Sequence, residues 1–133
     1  MRSSGTKIKK QLERDKVLKP CIKSCKWMLD TGQILQYRRM DESDRDHKVG
    51  APDIEVWLEK NDLVWILMVE CKKPDGGTLR TKQKEYRDRF NKYKNVTYIV
   101  VKSVKEMNSV INQISDFYDE QDKELEDLIK LTP

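Results

Sequence analysis

Two short runs rich in β-branched and aromatic residues, Asp53 to Glu59 (DIEVWLE) and Val64 to Cys71 (VWILMVEC), are separated by Lys60, Asn61, Asp62 and Leu63. No other feature constrains the chain as much. Runs of this composition form strands, and so polar a connection suits a tight reversal, so the pair predicts a β-hairpin. The second run is almost wholly apolar, as expected of a strand covered on both faces, which puts it in the middle of a sheet.

The other elements follow from periodicity. From Thr6 to Thr31 the apolar residues Ile8, Leu12, Val17, Leu18, Ile22, Cys25, Trp27, Met28 and Leu29 recur at mostly helical spacing, with Gly32 as the stop and Pro20 kinking or dividing the helix. Gln33 to Met40 alternates like a first strand, and a charged loop from Asp41 to Gly50 leads to the hairpin. After a loop with Pro74, Gly76 and Gly77, Thr81 is placed to cap a helix running to about Tyr93, with Tyr86, Phe90 and Tyr93 on one stripe. Val96 to Val101 reads as the last strand. Val104 opens a final amphipathic helix carrying Met107, Val110, Ile111, Ile114, Phe117 and Tyr118 into an acidic tail. The order is α-β-β-β-α-β-α, and 133 residues suffice for one domain and one core.

Charge is divided along the chain. From Asp116 onward seven acids face two lysines, a net −5, which leaves +9 on the first 115 residues of a chain of net charge +4. Such an excess suits a polyanion, nucleic acid above all. No signal peptide and no run of the ~18 apolar residues a membrane span needs is present, so a soluble, cytoplasmic protein is expected. Cys21, Cys25 and Cys71 are odd in number and form no CxxC pair, which argues against a disulfide framework or structural zinc; Cys21 and Cys25 read as small apolar packing residues. With His47 the only histidine, His-based zinc sites and Ser-His catalysis are poor readings.

If the hairpin turn is Asn61-Asp62, Asp53 falls directly opposite Glu70 and on the same sheet face, and Lys72, two residues on from Glu70, shares that face. Two carboxylates so close are unfavourable unless a cation lies between them or one takes a proton. An oxygen site of this kind suits Mg²⁺ or Mn²⁺, which can acidify a water and stabilise charge on a phosphate, with Lys72 positioning the water or neutralising that charge. The three groups together fit phosphodiester hydrolysis. An ordinary cross-strand salt bridge is the plainer alternative; against it, Glu70 ends the most apolar strand, where an ionised group is costly.

These residues resemble a known family. Gly50-Ala51-Pro52-Asp53, then Glu70-Cys71-Lys72 after a short hairpin, then Gln83 in the next helix resemble the PD-(D/E)xK nuclease superfamily. The spacing, the KKPDGG loop and the closing YIVVKS strand are most similar to its small stand-alone phage and bacterial VRR-NUC members, over roughly Leu29 to Val104. The resemblance implies an α/β restriction-endonuclease-like core with a mixed four-stranded sheet flanked by helices. It implies a Mg²⁺- or Mn²⁺-dependent nuclease in which Asp53, Glu70 and the main-chain carbonyl of Cys71 hold the metal, Lys72 is catalytic and Gln83 stands beside the site. It further implies a homodimer acting on structured or branched DNA, in the manner of Holliday-junction resolvases. The family's first-helix glutamate has no cleanly spaced counterpart here; Glu13 is nearest, with Asp15 second.

Arg38, Arg39, Arg45, His47, Lys48, Lys73, Arg80, Lys82 and Lys84 flank the motif and are candidate phosphate contacts. Nothing resembles a base-reading helix or an aromatic stacking platform, so recognition by shape is expected, with Trp57, Trp65, Tyr86, Phe90 and Tyr98 read as core or dimer surface. Two other readings are a non-catalytic nucleic-acid-binding module that keeps the fold, and an assembly protein using its basic body and acidic tail. Neither needs two carboxylates next to a phosphate, which they repel.

Overall fold

The structure is a computed structural model and describes residues 13–40, 50–75 and 77–131, without the side chains at 118, 121, 122, 125 and 126. Arg45, His47 and Lys48, and the first turns of the expected N-terminal helix, lie outside the described residues. A π-helical turn, Arg14–Leu18, runs into α1 (Lys19–Asp30). Pro20 has no N–H for the ladder, and its ring would meet the carbonyl four residues back; the chain widens to a π turn there, Lys19 N–H bonding Arg14 O. The expected kink or division is thus a change of pitch.

After Gly32, β1 (Gln36–Arg39) is half the length its alternation suggested, because the backbone bends through residues 33–35. Then come β2 (Ile54–Lys60), β3 (Leu63–Cys71), α2 (Thr81–Asn91), β4 (Val96–Val101) and α3 (Val104–Leu131). The four strands form one mixed sheet in the order β1-β2-β3-β4, antiparallel except for the parallel β3–β4 pair. β3 lies inside the sheet, as its apolar run required. No helix of the described residues is long and apolar enough to cross a membrane.

The hairpin turn is the two-residue Asn61-Asp62, both with positive φ (53° and 65°). This type I′ turn matches the twist of its strands, and Asn and Asp tolerate the left-handed region better than other side chains. It sets the register: Lys60 pairs with Leu63 and Ile54 with Val69.

That register sorts the strands into two faces. Ile54, Val56, Leu58, Leu67, Val69, Cys71 and Val101 point to one side, where Cys21, Cys25 and Met28 of α1 and Met107, Ile111 and Ile114 of α3 close the core. Each fully buried aliphatic contributes about 1.5–3 kcal/mol. Ser24 bonds Asn108 at 2.8 Å and ties the two helices together. All three cysteines are buried and free, as packing residues; burial, with Cys21 beside it, pushes the Cys25 thiol up to about 12. On the other side α2 packs against β4, with Tyr86 against Phe90 and Tyr98. Over β1 and β2 that second face keeps Gln36 and Arg38 exposed and Glu55 and Trp57 half-buried.

Candidate active site

The second face ends, at the C-terminal end of β3, in Glu70 and Lys72, the two charged side chains buried among the described residues (5% and 6% exposed). The hairpin register predicts Asp53 opposite Glu70, and the strand ladder stops one step short, at Ile54–Val69. Continued two residues further it would bring Pro52 opposite Cys71, where a proline has no N–H to give. The side chain of Asp53 substitutes: Oδ2 accepts the Cys71 N–H at 2.9 Å, while Asp53 N–H bonds Val69 O at 3.0 Å. Pro52 therefore both ends the ladder and turns the Asp53 carboxylate toward β3. By the same register it offers the Cys71 carbonyl no donor.

Gln83, in the first turn of α2, organises the other side. Its Nε2 donates to Glu70 Oε1 at 3.0 Å, and its Oε1 accepts Lys72 Nζ at 3.1 Å and Arg80 N–H at 2.8 Å. Gln83 thereby also caps the helix: the N-cap is Arg80, and Thr81, expected to cap, is the first helical residue. Lys72 Nζ lies 3.7 Å from Glu70 Oε1, a weaker contact than its bond to Gln83. Two glycines allow this packing. Gly50 (φ +90°) lies so close to the start of α2 that a Cβ would collide with the Lys82 carbonyl, and a Cβ on Gly77 would stand 2.6 Å from Lys72 Cβ.

Glu70 Oε2 is buried and has no hydrogen-bond partner among the described residues. Burial first, and then the neighbouring Asp53, push the Glu70 carboxyl up from 4.5 to about 9, against the pull of Lys72; Glu13 adds to the rise. Without a cation the site therefore holds a proton at neutral pH. Glu13 is half-buried at the start of the π turn and within electrostatic range of Glu70. Asp15 instead makes an exposed pair with Lys19 at 3.0 Å.

The donor set fits a hard divalent cation. Two carboxyl groups side by side, the buried one with an open oxygen, repel each other unless a proton or a cation lies between them, and such an ion would meet that need. No three His, Cys, Asp or Glu side chains of the described residues form a ready cage. Mg²⁺ needs none, since it keeps several waters and takes one or two carboxylates from the protein.

Of the candidate phosphate contacts, Arg38 lies across from Glu55 and is exposed on the site's face, whereas Arg39 points to the opposite face and is half-buried. Lys73 follows the site and is half-buried; Arg80, Lys82 and Lys84 stand exposed at the start of α2, Lys82 pairing with Glu85 at 3.4 Å.

Tyr98 is a site residue that sequence reading assigned to packing. It is buried, its hydroxyl donates to Gly50 O at 3.4 Å, and burial together with Glu70 and Asp53 holds its hydroxyl well above the usual range. Only the parallel pairing of β4 with β3, Tyr98 beside Met68, brings it there. Comparison with known proteins finds no matching family model, no matching curated protein and no matching solved structure.

Proposed function

We propose that the chain is a divalent-metal-dependent nuclease of the PD-(D/E)xK superfamily, VRR-NUC-like, that hydrolyses phosphodiester bonds in structured or branched DNA as a homodimer. One observation carries the reading: the buried Glu70 carboxyl lies against the Asp53 carboxylate, with an oxygen that Gln83 and Lys72 leave open and with Lys72 beside it. A structural ion pair would not need a second carboxylate against the first. The order of elements agrees with the restriction-endonuclease-like core that the sequence resemblance implies.

Asp53, Glu70 and the Cys71 carbonyl would hold the ion, with Glu13 near enough to reinforce its charge. The chemistry an Mg²⁺ or Mn²⁺ ion would supply there is polarisation of a phosphate oxygen and acidification of a water. The chain's own part is positioning. The Cys71 N–H fixes Asp53 by one oxygen. Gln83 fixes Glu70 by Oε1 and so leaves Oε2 for the cation. The same carboxamide holds Lys72 Nζ at the edge of the site, where it can orient the attacking water or offset charge on the phosphate.

The test is cleavage of labelled duplex, single-stranded, flap and four-way-junction DNA by wild type and Lys72→Ala, with Mg²⁺, Mn²⁺ or EDTA. Metal-dependent cutting that the variant loses supports the nuclease. Binding without cutting in any condition replaces it with a non-catalytic DNA-binding module.

A further inference from the structure

α2 has no buried residue and is highly charged. Between Arg80 and Lys94 lie seven cations, Arg80, Lys82, Lys84, Arg87, Arg89, Lys92 and Lys94, against Glu85 and Asp88 alone. Those two acids are engaged locally, Glu85 with Lys82 and Asp88 with Arg87. The segment from 80 to 94 is left with a net +5, of which α2 itself carries +2 and its two flanks, through Arg80, Lys92 and Lys94, +3. Its cations are also partly ordered in advance. Arg89 lies over the Tyr86 and Phe90 rings at 5.8 and 5.9 Å, and Lys92 over Tyr93 at 5.8 Å.

The helix is continuous with the site. Gln83 in its first turn bonds Glu70 and Lys72, and Gly50 packs on its Lys82 backbone. From there its eleven residues extend about 16 Å. The opposite face of the sheet is covered by α1 and by α3, whose tail is acidic and repels a polyanion.

The geometry points to α2 and the turn that follows it, as far as Lys94, as the rail that holds the sugar-phosphate backbone of a DNA duplex beside the site, with Arg89, Lys92 and Lys94 as contacts beyond the residues that flank the motif. This rests on the nuclease reading and specifies how its substrate is held. Duplex is favoured over single-stranded DNA because α2 offers bases little to stack on: Tyr86 and Phe90 are half-buried and packed against each other, Tyr86 also against Tyr98, which leaves Tyr93, in the turn beyond the helix, as the one exposed ring of the segment. The rail reads phosphates and carries no sequence preference.

The test is fluorescence anisotropy of a short DNA duplex in EDTA, across a salt series, for wild type, an Arg89→Gln/Lys92→Gln/Lys94→Gln variant, and a charge-matched Lys16→Gln/Lys23→Gln/Lys26→Gln variant on the opposite face. Circular dichroism confirms folding, and Lys94→Gln alone, which disturbs no stacked ring, gives the same effect in smaller measure. Loss of the three cations at the end of α2 and in the turn after it should weaken binding about tenfold or more and make the slope of log K against log salt shallower by about 2 to 3, with little change in the variant on the opposite face. Equal effects of the two triple variants, an unchanged slope in the α2 variant, or a larger effect of the α2 variant on anionic phospholipid vesicles than on duplex overturns the rail. Wild type that cuts DNA while the α2 variant binds normally refutes the rail alone. Wild type that binds through α2 but never cuts refutes the nuclease alone.

Discussion

Gln83 joins Glu70 to Lys72, donating to Glu70 Oε1 at 3.0 Å with one end of its carboxamide and accepting Lys72 Nζ at 3.1 Å with the other. A single neutral side chain can do this because an amide carries both a donor and an acceptor. It also decides which Glu70 oxygen stays open.

Gln83→Ala removes both bonds and frees Glu70 and Lys72 to rotate. Supporting residues of this kind typically contribute 10- to 100-fold, so cleavage by Gln83→Ala is expected to fall by about that factor. Duplex affinity measured in EDTA should change less than about twofold, because Gln83 carries no charge. Single-turnover rates and binding titrations separate the two. A parallel loss of affinity would mean that the start of α2 had moved, and that Gln83 acts as a cap alone.

Glu70 predicts an unusual dependence on pH. Its carboxyl titrates near 9 in the folded chain and near 4.5 unfolded, raised by burial and then by Asp53. Between these values the folded state holds a proton that the unfolded state has lost, so metal-free stability falls as pH rises through the window. The cation competes with that proton, so its affinity should rise over the same range. Thermal melts from pH 5 to 9 in EDTA should show a declining Tm, with stabilisation by Mn²⁺ that grows with pH. Glu70→Gln should flatten the metal-free profile, abolish the Mn²⁺ response and abolish cleavage. A Tm in EDTA that rises across this window would show that Glu70 is ionised without metal.

The site was legible in the sequence to the extent that local geometry determines it. A two-residue turn at Asn61-Asp62 is enough to fix the β2–β3 register as far as Ile54–Val69, which puts Glu70 and Lys72 on one face and Asp53 at the strand end beside them; the bond from Cys71 N–H to the Asp53 carboxylate is not part of that ladder. Parity then separates Arg38 from Arg39, though only once β1 is paired with β2. Tyr98 was out of reach, because a parallel partner joined through a helix has no turn from which to count register. The cap at Arg80 was missed for a related reason: a glutamine three residues on satisfies that N–H, so the usual Thr signal at 81 misleads by one position. Neither glycine contact announced itself, since Gly50 and Gly77 sit in loops where glycine is common for other reasons.

Gly77 gives a test of packing that leaves the charges alone. A Cβ there would stand 2.6 Å from Lys72 Cβ and 3.1 Å from its Cδ, so Gly77→Ala must displace the Lys72 side chain or the loop. Overpacking of this kind costs about 1–3 kcal/mol. The fold should survive with a Tm lower by several degrees, while cleavage drops by at least tenfold because Lys72 leaves Gln83. If Gly77→Ala cuts like wild type, the position of Lys72 does not matter to the reaction.

Asp53 does two jobs that substitution can separate. Its Oδ2 accepts the Cys71 N–H that Pro52 leaves the strand ladder without, and its charge faces Glu70. Asparagine keeps an acceptor in place and loses the charge; alanine loses both. Asp53→Ala exposes a part-buried N–H to an empty position and should cost about 1–3 kcal/mol of stability. Asp53→Asn should fold as well as wild type in EDTA, or better, since the repulsion with Glu70 is gone. Both variants should lose the Mn²⁺-induced rise in Tm and all metal-dependent cleavage. Chemical denaturation in EDTA and melts with Mn²⁺ supply the two readouts. If Asp53→Asn kept a wild-type Mn²⁺ response, the cation would not be held between these carboxylates, and the role of Asp53 would reduce to closing the strand end.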